Sequence, residues 1–259
     1  MGLGSRLSRY TNLIKNFDNW GAYLAHKVKN NKEDFTFKVR KAFAVTVPKQ
    51  MLPPFKENFF DEIYLKEFPQ QLFDKPKIQV LDVGANVGYF ALYMLSRFPN
   101  ASIYAYEPMP FNFKKLGEYQ KQFDQFDIQI YNKAVADKHT TITLNVSNLD
   151  GFSTMASIFD KSTKPVKVDV EAITLEEAMS ENKLDSIDFL KLDCEGSEYP
   201  ILYGANEETL SKVSAISIET HQGQTENENH EALKSFLQKA GFQVRDISKG
   251  RYGHIWAWR

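Results

Sequence analysis

Short apolar runs alternate with longer amphipathic segments along most of the chain. The runs are four to six residues long and bounded by turn residues, and five of them lie at 80–83, 102–106, 128–131, 187–192 and 213–218. Runs of this length are typical of buried parallel strands, while the segments between them carry apolar residues at helical spacing. The alternation predicts a mostly parallel α/β sheet with right-handed crossovers, whose ligands bind at the carboxyl edge.

The remaining strands of the C-terminal region are of other kinds. Residues 141–146 alternate like an exposed antiparallel strand, and 166–173 predict a further strand. Residues 242–247 and 254–258 predict a final antiparallel pair. Residues 149–164 are polar and aperiodic, so we expect them to form a mobile loop over the site.

The pattern is different before the first core strand. Apolar positions at helical spacing over 5–30 predict one or two amphipathic helices, with Gly21 as the break. Alternating runs over 35–47 predict a hairpin, and 59–68 predicts a helix. We therefore expect residues 1–75 to form a cap of helices and short strands.

At 259 residues the chain is long enough for such a cap and one core domain at 76–259. Its 42% hydrophobic and 25% charged content is that of an ordinary soluble globule, and the net charge of −1 makes nucleic acid an unlikely partner. Residues 1–50, however, hold ten Lys and Arg against three Asp and Glu. Such an arm suits an anionic substrate, a membrane surface or a partner subunit in a homo-oligomer, or is simply a solvated helical face.

Cys194 is the single cysteine, which excludes an internal disulfide and fits a reducing cytosol. No apolar stretch reaches the roughly 18 residues of a membrane-spanning helix. The N-terminus also lacks the apolar core of a signal peptide. These features predict a cytoplasmic protein without a transmembrane segment.

A glycine turn connects the first core strand to its helix. Gly84 ends the strand, and Gly88 stands where the helix begins. Their Gly-x-x-x-Gly spacing differs from the Gly-x-Gly-x-x-Gly turn that holds a pyrophosphate. Glu107 ends the next strand, where a carboxylate accepts hydrogen bonds from ribose hydroxyls. The pair predicts an adenosine-type ligand; the alternative is a tight turn in another α/β fold, with Glu107 as a solvated strand end.

A second group of polar residues follows the later buried strands. Asp193, Glu195 and Glu198 lie within six positions, and Glu219 and His221 stand at the end of the next strand. One interpretation is a general base with orienting groups, which takes a proton from a substrate hydroxyl. Another is a hard divalent ion held by Asp193, Glu219 and His221. In a structural alternative, Glu195 and Glu198 stabilise a helix start and His221 only enters a loop.

Taken together, these segments resemble the FkbM family of S-adenosylmethionine-dependent methyltransferases. The matching segments are Val80-Leu-Asp-Val-Gly-Ala-Asn-Val-Gly88, Tyr106-Glu-Pro108, Asn132-Lys-Ala-Val135 and, above all, Ile187-Asp-Phe-Leu-Lys-Leu-Asp-Cys-Glu-Gly-Ser-Glu198. The resemblance covers about residues 76–245. It implies a Rossmann-like class I methyltransferase fold, with a seven-stranded, mostly parallel sheet and helices on both faces.

The resemblance also implies contacts with the cofactor S-adenosyl-L-methionine. The implied contacts are Asp82, Gly84, Asn86, Gly88, Glu107, Asn132, Ala134 and Asp193. The first four form the turn against the methionine part of the cofactor, and Glu107 binds its ribose. Asn132 and Ala134 lie near the adenine.

The implied reaction is O-methylation of a hydroxyl on a sugar, a glycan or a natural product. We expect Asp193 to lie beside the transferring methyl group, and Glu195, Glu219 and His221 to orient the acceptor or assist proton removal. A divalent metal ion stays open, with Asp193, Glu219 and His221 as its ligands. Three alternatives remain: an NAD-dependent oxidoreductase, a non-catalytic module that binds an adenosine ligand, and a nucleic-acid methyltransferase.

Overall fold

A computed structural model of the chain describes residues 3–29, 33–146, 166–249 and 252–259. The loop predicted at 149–164 lies outside the described residues. The helices are α1 (Leu3–Asn16), α2 (Trp20–Val28), α3 (Leu52–Phe59), α4 (Tyr89–Arg97), α5 (Pro110–Gln122), α6 (Leu175–Glu181), α7 (Glu198–Gly204), α8 (Glu207–Ser211) and α9 (His230–Lys239). The strands are β1 (Phe35–Lys38), β2 (Ala44–Val47), β3 (Gln79–Val83), β4 (Ser102–Tyr106), β5 (Asp127–Tyr131), β6 (Ala134–Val135), β7 (Thr140–Val146), β8 (Val166–Ile173), β9 (Phe189–Leu192), β10 (Ala215–Thr220), β11 (Gln243–Lys249) and β12 (Tyr252–Trp258).

Seven of these strands form the central sheet, in the order β11-β12-β10-β9-β3-β4-β5. The pairs from β10 to β5 are parallel, and β12 pairs antiparallel with both β10 and β11. The predicted Rossmann-like fold, a mostly parallel sheet with helices packed on it, is confirmed. The predicted antiparallel pair at the C-terminus is confirmed as well.

The register of the sheet aligns the carboxyl ends of the five parallel strands. Val83 pairs with Tyr106 on one side and with Leu192 on the other. Tyr106 in turn pairs with Tyr131, and Leu192 with Ile218. The residues that follow Val83, Tyr106, Tyr131, Leu192 and Ile218 therefore lie in one row along the carboxyl edge: Gly84, Glu107, Asn132, Asp193 and Glu219.

A small separate sheet lies beside the central one, in the order β6-β8-β7. β7 and β8 pair antiparallel, which is the arrangement that the alternation of 141–146 predicts for β7. Among the described residues, no helix is both long enough and apolar enough to cross a membrane.

The N-terminal region has two helices, but their boundary differs from the predicted break at Gly21. Gly21 lies inside α2, and the interruption falls at 17–19. Phe17 pairs with Val39 as an isolated β-bridge, and the Asp18 N–H donates to the Lys38 carbonyl at 2.9 Å. Pairing with the hairpin takes this backbone out of the helix, which sequence periodicity alone does not indicate.

The helix predicted over 59–68 is wrong. The structure instead has the helix α3, which ends at Phe59, where the predicted helix begins. Turns follow it. Pro53 and Pro54 stand in the first turn of α3, where backbone N–H groups lack helical partners and proline is tolerated. Glu62 then has a φ of +50°, which is incompatible with a continuing helix.

An aromatic cluster joins the N-terminal region to the core. The rings of Phe55 and Tyr89 are 5.2 Å apart between centroids, and those of Phe59 and Tyr93 are 5.3 Å apart. All four side chains are buried. α3 therefore covers part of the apolar face of α4. This contact is consistent with an N-terminal cap that packs on the core.

Candidate active site

The glycine turn after β3 is packed tightly between two neighbouring strand ends. Gly84 has a φ of +78°, and a Cβ there would lie 1.9 Å from the Asp193 carbonyl oxygen. The N–H groups of Gly84 and Ala85 both donate to the Tyr106 carbonyl at 3.0 Å. Glycine is needed at this position because any side chain would separate β3 from the segment after β9.

Glu107 is buried at the end of β4 and is held by backbone donors. The Asn86 N–H donates to its Oε2 at 2.7 Å, and the Met109 N–H donates to its Oε1 at 2.8 Å. Burial raises the pKa of Glu107 to about 7, and these two N–H groups partly offset the rise. A side chain only 4% exposed is not a solvated strand end, so that alternative is wrong.

One cavity at the carboxyl edge of the sheet joins the two groups of polar residues found in the sequence. Its polar lining includes Gly84, Asn86, Glu107, Asp193 and Glu195. Its apolar lining includes Val83, Met109, Ala134, Val135, Ile142 and Leu144. Glu107 and Asp193 thus open onto the same space, which apolar side chains also line.

Two residues of the cavity wall have a left-handed backbone. Asn86 has a φ of +52° and Glu195 a φ of +53°. This conformation costs a residue with a Cβ about 1–2 kcal/mol, and such strain is concentrated at functional sites. The strain supports a functional interpretation of the turns after β3 and β9.

A buried lysine links the glycine turn to Asp193. The Lys191 Nζ donates to the Gly84 carbonyl at 2.6 Å and lies 3.2 Å from Asp82 Oδ1 and 3.7 Å from Asp193 Oδ2. Burial alone would lower the pKa of Lys191, but the carboxylates of Asp82 and Asp193 raise it. The ammonium group therefore stays charged and holds both strand ends.

Asp193 also accepts a hydrogen bond from the N-terminal region. The Tyr64 hydroxyl donates to Asp193 Oδ2 at 2.7 Å, and the Tyr64 side chain is buried. Burial disfavours the Asp193 carboxylate, but Lys191, His221 and the Tyr64 hydroxyl together hold the pKa of Asp193 below its usual range. Asp193 is therefore ionised at neutral pH, with one oxygen fixed by Tyr64.

Glu198 and His221 form a buried pair behind the cavity wall. His221 Nδ1 lies 2.8 Å from Glu198 Oε1, and the Glu198 carboxylate also accepts the N–H groups of Cys194 and Gly196. Burial would lower the pKa of His221, but Glu198, Asp193 and Glu195 raise it to about 9. The imidazolium lies 3.7 Å from Glu195 through Nε2, so His221 orients Glu195 and is charged at neutral pH.

Glu219 lies outside the cavity lining but within electrostatic reach of Asp193. Burial raises the pKa of Glu219 to about 8, with further contributions from the negative charges of Asp193 and Glu57. Desolvation and the negative charges of Asp193 and Asp61 also raise the pKa of Glu57, although Glu57 is an exposed residue of α3. The carboxylates near Asp193 therefore differ in protonation at neutral pH.

The predicted metal ligands do not form a metal-binding set. Across the described ranges, the one group of three whose donor atoms all lie within 4.8 Å of one another is His230, Glu231 and Asp246. In that group Asp246 is already paired with Lys234 at 2.8 Å. The donor arrangement therefore does not support a metal held by Asp193, Glu219 and His221.

Three of the predicted cofactor contacts lie away from the cavity lining. Asp82 is fully buried against Lys191, and Gly88 caps α4 with its Cα facing Leu116. The Asn132 amide donates to the carbonyl of Glu107 at 2.9 Å. These residues hold the lining in position, whereas Gly84, Asn86, Glu107, Ala134 and Asp193 form it.

Sequence reasoning missed Tyr64 and Glu57. Both come from the N-terminal region, and Tyr64 is separated from its partner Asp193 by 129 positions. No local periodicity or spacing connects residues so far apart. A signal was available in the segment itself, because an isolated tyrosine after an aromatic pair suits a buried side chain with a polar end.

Comparison with known proteins gives a consistent picture of the core. The sequence profile of the family described as "Methyltransferase FkbM domain" matches residues 82–244. The fungal methyltransferase sdnD of Sordaria araneosa is 28% identical over 73% of this chain and 81% of its own. The 2-O-methyltransferase NoeI of Sinorhizobium fredii is 27% identical over 57% of this chain and 65% of its own.

Similarity also extends to one much longer protein and to solved structures. The AMB antimetabolite synthetase AmbE of Pseudomonas aeruginosa is 28% identical over 73% of this chain, which spans only 10% of that synthetase. The structure of M. capricolum TrmK in complex with S-adenosyl-homocysteine superposes with a TM-score of 0.41 at 13% identity, over 74% of this chain and 68% of that one.

Proposed function

Because this chain belongs to the methyltransferase FkbM domain family, we propose that it transfers a methyl group from S-adenosyl-L-methionine to a hydroxyl of a sugar, glycan or natural product. The observation that carries the proposal is the single cavity that both Glu107 and Asp193 line. In this proposal Glu107 binds the ribose of the cofactor, and Asp193 faces the reacting end of the same ligand.

The chemistry of the cavity lining fits this cofactor. The Glu107 carboxylate has free lone pairs for a ribose diol, and Met109, Val135, Ile142 and Leu144 offer an apolar wall for adenine. The acidic side chains of Asp193 and Glu195 complement the cationic sulfonium and ammonium groups at the other end. When bound, the cofactor supplies an electrophilic methyl carbon on a positively charged sulfur.

The chain's own residues prepare the acceptor hydroxyl. Asp193 is ionised, and the oxygen not fixed by Tyr64 accepts a hydrogen bond from the hydroxyl, which orients its oxygen. Glu219 lies beside Asp193 at the carboxyl edge, because Ile218 pairs with Leu192, and it has the raised pKa that suits a general base near neutral pH. We assign Asp193 to alignment and Glu219 to proton removal, while His221 holds Glu195 at the cavity wall.

The relatives support a hydroxyl as the acceptor. NoeI is named as a 2-O-methyltransferase, and it covers the core of this chain at 27% identity. The cluster of carboxylates near Asp193 is also suited to hydrogen-bonding several hydroxyl groups of one acceptor, because each carboxylate oxygen accepts more than one hydrogen bond.

Transfer of a labelled methyl group tests the proposal. The full chain is incubated with methyl-labelled S-adenosyl-L-methionine and a panel of saccharides, glycans and alcoholic natural products, with amines as a comparison set. Asp193→Ala should lower turnover by at least ~10²-fold, a larger effect than its loss of affinity for S-adenosylhomocysteine. The control is Asp185→Ala, which changes an exposed carboxylate before β9 and should leave turnover unchanged.

Two outcomes would contradict the proposal. Label in amines but in no hydroxyl would contradict O-methylation, and full turnover in Asp193→Ala would remove this residue from the reaction.

A further inference from the structure

A second cavity, of about 360 Å³, lies in the N-terminal region between α1, α2 and the end of α3. Its lining residues are Arg9, Tyr10, Leu13, Tyr23, Lys27, Lys56 and Phe60. None of them lines the cavity at Gly84. The proposed methyl transfer therefore gives this cavity no role.

Cationic residues line this cavity, and no acidic residue lines it with them. Three of the lining residues are Lys or Arg and none is Asp or Glu. Arg9 is paired with Asp61 at 3.0 Å, but within the described ranges no carboxylate pairs with Lys27 or Lys56. Burial lowers the pKa of Lys56, and the positive charges of Lys27 and Arg9 lower it further, with Asp61 opposing them. An anion in this space would relieve that repulsion.

Aromatic rings keep the two ammonium groups at the cavity wall. The Lys27 Nζ lies 5.7 Å from the centroid of the Tyr10 ring, and the Lys56 Nζ lies 5.8 Å from the centroid of the Tyr23 ring. Such contacts contribute only about 0.5–1 kcal/mol each at partly exposed sites. They leave the N–H donors of both ammonium groups available for a ligand.

We propose that this cavity binds a phosphate-bearing ligand, whose phosphate contacts Lys27 and Lys56 and whose remainder packs on the rings of Tyr10, Tyr23 and Phe60. Lysine is a point-charge binder of phosphate, and a dianion matches several nearby cations better than a single carboxylate does. The volume exceeds that of a lone phosphate ion and falls in the range of small-molecule sites. Two of the ten basic residues at positions 1–50, Arg9 and Lys27, thereby line a specific site.

A phosphate group could belong to a soluble ester or to a lipid head group. The outer face of α1 bears the exposed apolar side chains of Leu7 and Ile14 on either side of the lining residue Tyr10. An apolar stripe beside a cationic cavity suits a surface that carries both acyl chains and phosphates. The test therefore has one arm for each source.

Binding assays on the full chain test the proposal without a methyl-transfer readout. In one arm, inorganic pyrophosphate is titrated calorimetrically; in the other, vesicles of phosphatidylcholine and phosphatidylglycerol are sedimented with the protein, with pure phosphatidylcholine as the blank. The test variant is the double substitution Lys27→Gln and Lys56→Gln. The control is Lys114→Gln with Lys121→Gln, which removes the same charge from exposed positions on α5.

We expect binding in at least one arm, weakened at least ~10-fold in the test variant and unchanged in the control. Binding in the pyrophosphate arm shows that a soluble phosphate group is sufficient, and binding in the vesicle arm alone identifies a lipid head group. Equal binding by wild type and test variant, or none in either arm, would overturn the proposal.

If circular dichroism shows that the double variant does not fold, the same assays compare the wild type with Lys27→Gln alone, which changes an exposed position. Because binding is the readout, failure here is independent of failure of the methyl-transfer proposal.

Discussion

The carboxylates around Asp193 have different charges at neutral pH because their surroundings differ. Asp193 is flanked by Lys191, His221 and a tyrosine hydroxyl, which together lower its pKa. Glu219 is buried beside the negative charges of Asp193 and Glu57, and its pKa is raised to about 8. Two carboxylates are thereby suited to different tasks: Asp193 to alignment of the acceptor and Glu219 to proton removal.

Glu219 should control how activity depends on pH. A base must be deprotonated to act, so kcat should rise with pH through about 8 in the wild type. Glu219→Gln should abolish that rise and lower kcat. In Glu57→Gln the loss of a nearby negative charge lowers the pKa of Glu219, so the rise should move to lower pH. The measurement is kcat for labelled methyl transfer from about pH 6 to about pH 10; a profile unchanged in Glu219→Gln would refute the assignment.

Tyr64 should act by positioning Asp193. Tyr64→Phe keeps the buried ring but removes the hydroxyl that donates to Asp193 Oδ2 at 2.7 Å. We expect kcat to fall about 10-fold with little change in cofactor affinity, because a carboxylate free to rotate aligns the acceptor less well. The pKa of Asp193 should also rise, which shifts any acidic limb of the kcat profile upward. Tyr203→Phe, which loses a hydroxyl bound to the Asn227 carbonyl, is the control; equal kcat values in the two variants would contradict a role for Tyr64.

At the residue level, positions directly after strands were predictable from sequence. Gly84, Glu107 and Asp193 meet because parallel strands in register bring their carboxyl ends together. Whether each side chain then faces the cavity depends on packing, which is why Asp82 turns out to be buried against Lys191. Tyr64 reaches Asp193 through tertiary contacts alone, and no sequence spacing encodes that approach.

Among the elements, the turn between β3 and α4 leaves no room for a side chain at Gly84. Its two glycines have positive φ, but their surroundings differ: a Cβ on Gly84 would meet the Asp193 backbone, while one on Gly88 would meet the flexible end of the Leu116 side chain. The turn therefore sets the distance between β3 and the segment that carries Asp193.

Gly84→Ala should be strongly destabilising. The added Cβ would lie 1.9 Å from the Asp193 carbonyl oxygen at a φ of +78°, so both steric overlap and backbone strain oppose it. We expect the free energy of unfolding to fall by about 3 kcal/mol or more, as measured by urea denaturation. Gly21→Ala, inside α2 with nothing within 4 Å of the new Cβ, should instead raise it by about 0.5–1 kcal/mol. If Gly84→Ala lost less free energy of unfolding than is measured for Gly88→Ala, the account of the turn would be contradicted.

Element prediction succeeded where local signals agreed and failed where tertiary pairing intervened. Residues 141–146, whose alternation predicts an exposed antiparallel strand, form β7 and pair antiparallel with β8. The helix predicted at 59–68 failed because proline in a first helical turn resembles a loop signal. The break at 17–19 arises from pairing with Val39, which only the folded chain provides.

On the scale of the whole molecule, the N-terminal region supplies part of the site's surroundings. α3 contributes Glu57 near Asp193, and the turns after it contribute Tyr64. Phe55 and Phe59 cover the tyrosines of α4. We propose that the region up to residue 75 and the core fold as one cooperative unit.

Removal of the first 50 residues should therefore destabilise the core rather than release it intact. The deletion exposes the buried face of α3, including Phe55 and Phe59, which packs against Phe17 and Phe37. We expect the truncated chain to melt at least ~10 °C lower or to aggregate, because a large apolar patch is left in water. The full chain should show a single calorimetric transition. A truncated chain that melts cooperatively at the temperature of the full chain would contradict this view.

Titration calorimetry with S-adenosylhomocysteine tests the central claim most directly, since the claim is that one cavity between Glu107 and Asp193 holds an S-adenosyl ligand. The wild type should bind it and give no heat with NAD. Glu107→Gln should bind at least ~10-fold more weakly, because an amide is a poorer partner for the ribose diol than a carboxylate. Binding of NAD without S-adenosylhomocysteine, or equal affinity in the wild type and Glu107→Gln, would contradict the account.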